Sequence, residues 1–496
     1  MAKTFATLRL CAIKNITKNK KTSRPSAFVA IKKIMFKRLK KILQHAESFD
    51  FTSGSIRKGI LILSIPMVLE MAMESVFALV DLYFVGHLKE SNYAIQVVGL
   101  TESVFAIIYS IAIGISIATT AIVARRIGKK DVTQAGKSGV QAIVIAIAIN
   151  VFISVFGFIY AEEILLLMGA SAASVVYGVL YTKIMMGGSV FVMLIFLING
   201  IFRGAGNAII AMKSLWISNI SNIILCPILI NGFWFIPAMG VTGAAIATTI
   251  GRGIGVLYQC YFLFYGKGIL KIKWSYFIPD FKLIQSIIKL ATPGVLQYVI
   301  ASCSWIFLAN LVATTGGDYA SSGYQTAIRI MMFFILPAWG LSNAVATLVG
   351  QNLGAQEIGR AEESVYKTAK YNMIFMGSIM LVCFFSAHYF ISFFTDNQTI
   401  VDIAVKALQI MSIGFIFYGL GMVLNNTFNG AGDNWTPTWI NVFGFWIFQV
   451  PFAYFLVHFY KMGPTGVFIA IPVAETLITI LSVIVYRRGN WKRIAI

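Results

Sequence analysis

The chain has 496 residues, of which 58% are hydrophobic and 12% charged, and its mean hydropathy is +0.80. A soluble domain is about a quarter charged, so a water-soluble globule is excluded. The net charge of +21 invites a nucleic-acid reading, but 34 of the 40 lysines and arginines lie in the two tails and in every second loop. That is the distribution of a membrane protein with its basic loops on one side, not of a nucleic-acid surface.

Residues 1–55 form a basic extension. The single apolar patch is interrupted by lysines, so no cleavable signal is readable. Phe28, Ile31, Met35, Leu39 and Ile42 alternate with Lys32, Lys33, Lys37, Arg38, Lys40 and Lys41. The spacing predicts an amphipathic helix lying on an anionic leaflet. The alternative is that translation starts at Met35 and the upstream stretch carries no structure.

From Lys58 to Tyr486 apolar runs of about 20–25 residues follow one another, each long enough to cross a core of roughly 30 Å. Spans are expected near 60–85, 95–124, 138–160, 176–200, 207–231 and 240–265. A second set follows near 284–313, 322–350, 366–392, 402–427, 436–460 and 464–486. The reading is an all-α membrane protein of twelve transmembrane helices in two pseudo-symmetric six-helix lobes. The expected organisation is a lobe over 56–266, a linker over 267–283, a lobe over 284–486 and a basic tail over 487–496. The lysine and arginine bias puts both termini in the cytoplasm, and the even span count agrees.

The first span carries three acids, Glu70, Glu74 and Asp81. Separations of four and seven residues place them within roughly 40° on one edge of a helix, over about 16 Å. Buried acids are costly in lipid, about 2.5–3.5 kcal/mol at a helix centre. A hydrogen-bonded packing seam accounts for one such residue; three on one edge point to an aqueous cavity and a movable ion. Asp81, near the outer end, is the sharpest candidate. A carboxylate there can exchange a proton or join amide and hydroxyl oxygens around a hard cation. Asn219, Ser221, Asn222, Thr248 and Thr249 could supply those oxygens. Glu102 adds an acid to the second span.

The second half differs. Spans seven to eleven hold no interior acid, and their polar residues are neutral or basic, among them Gln297, Asn310, Gln325, Arg329, Asn343, Asn425, Asn426, Asn441 and Gln449. Glu475 is the acid of the last span, and Arg329 is expected to pair with it or with another acid. The expected ion-coupling set is thus Asp81, Glu74, Glu70, Glu102, Asn222 and Thr248. The expected substrate path is Tyr324, Gln325, Arg329, Asn425 and Glu475. Prolines at 66, 227, 293, 337, 451 and 472 predict bends.

The halves repeat each other. Phe202-Arg203-Gly204-Ala205-Gly206-Asn207 returns 226 positions later as Phe428-Asn429-Gly430-Ala431-Gly432-Asp433. At that spacing Gly114 falls on Gly340 and Gly128 on Gly354; Pro66 falls on Pro293 at 227, and Met239 to Gly243 returns as Met462 to Gly466. Two copies of one apolar unit suit a transporter built from two similar halves.

Other chemistries find little support. The five cysteines show no paired spacing, and no metal site follows from them or from the four histidines. Gly136-Lys137-Ser138 resembles the end of a phosphate loop, but Asp131 replaces the earlier glycine. Gly204-Ala205-Gly206, being repeated, reads as a tight turn between helices and not as a cofactor box. No catalytic constellation stands out and an enzyme is not expected, so an ion gradient is left as the energy source.

Several blocks together resemble the MATE (multidrug and toxic compound extrusion) transporters, nearer their DinF-like branch, over residues 57–488. They are Val80-Asp81 through Val85-Gly86, Val123 to Gly128, Phe202 to Gly206, Asn222 to Pro227 and Gly240 to Thr248. Gly323-Tyr324-Gln325 through Ile328-Arg329 and Thr347 to Ala355 complete the set. The resemblance implies two lobes around a V-shaped central cleft. It also implies export of cationic or amphipathic organic compounds against inward proton or sodium flow. Asp81 matches the family's coupling acid in helix one, and Asn222 a polar partner in helix five. Cys226 departs from the DinF-like pattern, where an aspartate precedes the proline, and the acids that the NorM-like branch uses in helices seven and ten are missing. Glu70, Glu74 or Glu102 is left for the second role. The expectation is a monomeric antiporter of a bacterial cytoplasmic (inner) membrane, with no cofactor beyond the coupling ion, H+ or Na+. The alternative is a flippase for a lipid-linked precursor, which calls for a cavity lined by arginine and lysine.

Overall fold

The computed structural model describes residues 49–494 except 87, 89, 90, 235, 267, 269, 271 and 396. The amphipathic helix expected over 28–43 lies outside the described residues. The first half comprises α1 (Ile56–Gly86), α2 (Ser91–Gly128), α3 (Val132–Ile159), the short α4 (Ala161–Leu167), α5 (Ala172–Gly204), α6 (Ala208–Asn231) and α7 (Gly240–Tyr265). The second half has α8 (Phe281–Gly354), α9 (Ile358–Ser392), α10 (Gln398–Ser412), α11 (Phe415–Ala431) and α12 (Trp435–Asn441). A π-helical stretch (Val442–Gln449), α13 (Val450–His458) and α14 (Pro464–Arg488) follow.

Ten of these helices, counting 435–458 as one, are long and apolar enough to cross a membrane. The pair α10–α11, bent by 54°, makes an eleventh span. The twelfth is inside α8. At 1.5 Å per residue its 74 residues would reach about 110 Å, far beyond any bilayer. Gly317 divides it, with φ 68° and ψ −166°, a conformation that only glycine adopts without strain. The arms 281–316 and 318–354 are spans seven and eight. The spans expected from the sequence therefore exist. The sharp breaks fall at Gly317 and at 413–414, while Pro66, Pro227, Pro293, Pro337 and Pro472 remain inside continuous helices.

The repeated Phe-x-Gly-Ala-Gly segment ends a helix in both halves. Gly206 (φ 86°) and Gly432 (φ 87°) are left-handed, and Asn207 and Asp433 then accept hydrogen bonds from Ile210 N–H and Thr436 N–H. The turn starts later than the sequence implied. α5 runs to Gly204, which puts Arg203 on a helix and not in a loop.

Between the halves, α8 packs along both α1 and α2. A Cβ on Gly114 of α2 would lie 2.5 Å from the Val295 backbone nitrogen, and one on Gly340 of α8 would lie 2.4 Å from the Met67 carbonyl oxygen. These are the same contact made twice: the Cβ on Gly340 would also lie 2.9 Å from the Val68 backbone nitrogen, Gly114 and Gly340 are repeat partners, and Val68 and Val295, like Pro66 and Pro293, are 227 positions apart. The repeat therefore brings the halves together about a pseudo-two-fold axis.

The connection into α8 is pinned to the first half. Gln141 Nε2 donates to the carbonyls of Tyr276 (2.6 Å) and Ile278 (2.8 Å), and Lys137 Nζ donates to Asp280 Oδ2 at 2.7 Å. Asp280 also caps α8 through Leu283 N–H at 3.2 Å. The lysine hydrogen bond, and then the backbone donor, hold its carboxyl below the usual 3.8. A depressed carboxyl contributes fully above its unfolded pKa and loses that contribution as pH falls through the lowered folded value. Proteolysis of the 266–280 connection is therefore expected to accelerate only below about pH 4 in the native protein, and already at neutral pH in Asp280→Asn. Equal cleavage of both at neutral pH would rule this anchor out.

Candidate functional site

Two of the three acids on α1 are held by arginines. Glu70 is fully buried. Its Oε1 accepts from Asn199 Nδ2 at 2.8 Å and lies 3.4 Å from Arg203 Nη2. Asn199 Oδ1 in turn accepts from Gln259 Nε2 (2.6 Å) and Ser214 Oγ (3.1 Å), so α1, α5, α6 and α7 meet in one polar seam. One turn further out, Arg252 Nη2 donates to Glu74 Oε1 at 2.7 Å and Asn219 Nδ2 to Oε2 at 2.9 Å. The Arg252 guanidinium lies over the Phe77 ring, 5.1 Å from its centroid.

The wet edge expected for the stripe is therefore corrected at its inner end. Glu70 is sealed against α5, and Glu74 keeps 18% of its side chain exposed. Charges so deep in lipid persist because each has an opposite partner and neutral donors, as burial demands. The side chain of Asp81, near the C-terminal end of α1, lies outside the described residues. Asn222 and Thr248, expected together, are together: Asn222 Nδ2 donates to Thr248 Oγ1 at 2.8 Å.

A cavity of about 40 Å³ lies where the halves meet. It has room for a few waters and none for an organic molecule. Its wall includes Ile113 and Trp339, Ile117 and Asn343, Thr120 and Ala346, and Arg203 and Asn429. Each pair is separated by 226 positions, so the cavity lies on the pseudo-two-fold axis. Arg203 joins this wall to Glu70. Asn429 Oδ1 and Arg203 Nε are buried with no hydrogen-bond partner among the described residues.

At the basic end the cavity is shut. Thr347 Oγ1 donates to the Arg203 carbonyl (3.0 Å) and Gln351 Nε2 to the Gly204 carbonyl (2.9 Å). Arg360, at the start of α9, donates to the carbonyls of Phe51 and Gly54 just ahead of α1. Gly128 and Gly354, a repeat pair, cross so closely that a Cβ on Gly354 would lie 3.1 Å from the Gly128 Cα.

The family model described as MatE matches residues 66–228 and 293–455. The two matches are offset by 293 − 66 = 227 positions, the period already visible in the glycines and prolines. The chain belongs to the MatE family. Relatives include the probable multidrug resistance protein YoeA of Bacillus subtilis, 25% identical over 88% of this chain and 95% of that one. The probable multidrug resistance protein NorM of Thermotoga maritima is 24% identical over 89% and 94%. Among solved structures, a MOP superfamily transporter from Pyrococcus furiosus superposes with a TM-score of 0.83 at 26% identity, covering 88% of this chain and 97% of that one. An outward-facing multidrug resistance MATE family transporter gives the same values.

In this MatE protein the expected substrate path is only partly assembled. Gln325 and Arg329 are exposed. Tyr324 is 1% exposed and stacks on Phe468 at 5.9 Å inside the core of the second half, so it lines no path. Asn425 misses the axial cavity by one position; its neighbour Asn426 lines it and donates to Ser342 Oγ at 2.9 Å. Glu475 is buried elsewhere, in a small apolar pocket with Trp305, Met331, Phe415 and Tyr418. It makes no ion pair with Arg329, which lies instead within electrostatic range of Glu102 on α2. The residue that sequence reasoning passed over is Arg203. Its signal was present, as the one position in the repeated six-residue segment where a cation faces an amide.

Proposed function

We propose that the protein is a secondary active antiporter that exports cationic or amphipathic organic compounds in exchange for protons or sodium. The observation that carries the reading is the link from the carboxylates of α1, through Glu70 and Arg203, to the wall of the axial cavity. Asp81 is the coupling carboxylate in this reading, with Glu74 and Glu102 as further acids and the Asn222–Thr248 pair as oxygen donors. An ion that neutralises the outer part of that edge weakens the hold of Glu74 on Arg252 and frees α1 from α7. The change passes along α1 to Arg203. Such binding drives a switch only because its strength differs between the two open forms.

The relatives named for multidrug resistance favour a drug-like cargo. Arg203 and Arg252, the two arginines that reach the acids of α1, are committed to those carboxylates, which weighs against a pyrophosphate cradle. The distribution of lysine and arginine supports a cytoplasmic-membrane protein with both termini and the clasped end inside.

The test is efflux of a cationic dye from proteoliposomes, with pH and sodium gradients imposed separately. Native protein is expected to respond to one gradient, and Asp81→Asn to lose at least about tenfold of that response while keeping its thermal midpoint. Full gradient-driven efflux by Asp81→Asn would remove Asp81 from the mechanism. Efflux indifferent to both gradients would remove antiport.

A further inference from the structure

The second half carries a groove that the transport reading does not use. It has a volume of about 580 Å³ and opens between α9, α11 and α14 at the basic end of the bundle. Met373, Leu420 and Val483 line its floor, Tyr486 closes one side, and Lys370 and Arg487 stand at its rim. Both cations are exposed. Neighbouring cations are already used: Lys367 pairs with Glu363, and Lys492 with Glu362. Lys370 and Arg487 have no ion-pair partner among the described residues.

We infer that this groove holds an anionic phospholipid of the leaflet at the basic end, with its phosphate between Lys370 and Arg487 and an acyl chain along Met373, Leu420 and Val483. Three features select that occupant. The floor is apolar, which suits hydrocarbon. The two rim cations project from spanning helices towards the depth at which long basic side chains reach lipid phosphates. The volume falls within the range of sites that hold a small amphiphile. The groove's wall is also fixed: Tyr486 stacks on Trp491 at 5.3 Å, and Trp491 Nε1 donates to the Tyr486 carbonyl at 3.2 Å.

Native mass spectrometry of the full-length protein, titrated with phosphatidylglycerol and with phosphatidylcholine, tests the assignment. Phosphatidylglycerol is expected to bind roughly tenfold more tightly, and Lys370→Ala/Arg487→Ala to abolish that preference without changing the thermal midpoint of lipid-free protein. Met373→Trp, which fills the floor and leaves the charges in place, is expected to weaken both lipids. Glycerol phosphate, a headgroup without chains, is expected not to compete. Equal binding of the two lipids by native protein would overturn the proposal. So would a preference that survives the double substitution, unchanged binding by Met373→Trp, or full displacement by glycerol phosphate.

Discussion

Arg252→Ala is expected to destabilise the protein by about 3–5 kcal/mol and to abolish transport. Arg252 is 2% exposed, and its guanidinium grips both oxygens of Glu74, at 2.7 and 3.4 Å. Truncation removes the cation and leaves a mostly buried carboxylate with Asn219 as its described donor. It also removes the packing over Phe77, a contact of about 1 kcal/mol. The residual 18% exposure of Glu74 lets some water reach the orphaned group, which places the loss towards the lower end. The double variant Glu74→Gln/Arg252→Met removes both charges together and is expected to recover most of the stability, because a buried pair is worth little against neutral packing. Transport is not expected to return with it. Thermal unfolding and dye efflux of the two variants, beside native protein, separate the outcomes. A single variant within about 1 kcal/mol of native would show the pair to be dispensable for folding, and efflux by the double variant would show the Glu74 carboxylate to be dispensable for coupling.

The fold was legible in the sequence because lipid leaves so few solutions. Runs of about 20 apolar residues must be helices, and twelve of them in two similar sets must form two similar halves. What each helix face touches was less legible. The 40° edge of Glu70, Glu74 and Asp81 follows from helix geometry alone, but its partners Arg203 and Arg252 are 133 and 178 positions away from Glu70 and Glu74 in the chain. Periodicity says that an edge exists and is silent about which neighbour covers it, so an ion-paired seam at Glu70 was expected to be water. Tyr324 was misjudged for the same reason. A tyrosine in a motif of polar neighbours was read as a path residue, and its ring packs on Phe468 from a span 144 positions later. The repeat carried more than was first drawn from it. The 226-residue spacing that relates the glycines also relates the pairs in the wall of the axial cavity, Arg203 with Asn429 and Ile117 with Asn343.

That same pairing gives the second large effect. Gly128→Leu and Gly354→Leu are each expected to cut transport at least roughly fivefold while leaving the two halves folded. A Cβ on Gly128 would lie 2.0 Å from the Gln351 carbonyl oxygen, and one on Gly354 would lie 2.2 Å from the Arg125 carbonyl oxygen. Both obstacles are backbone, so no side-chain rotation relieves them, and α2 must withdraw from α8 by more than 1 Å. Thr347 and Gln351 are on the same stretch of α8 and would lose their bonds to the Arg203 and Gly204 carbonyls. Overpacking of this kind costs about 1–3 kcal/mol, and it falls only on the form in which these helices touch. The clasped form is thereby depleted roughly 5- to 150-fold, against a cycle that must return to it on every turnover. The cores of the separate halves, built around Ile198 and Ile201 in one and Leu408 and Phe468 in the other, are not involved. Gly359→Leu is the control: it is at the same end of the bundle, and nothing lies within 4 Å of its added Cβ. With Asn343→Cys as a reporter in the axial cavity, an impermeant maleimide applied from the basic side is expected to label Gly354→Leu faster than native protein and Gly359→Leu no faster. Were Gly354→Leu to transport normally and label slowly, the glycine crossing would be packing without a part in the cycle, and closure of the basic end would have to rest on the bonds from Thr347, Gln351 and Arg360 alone.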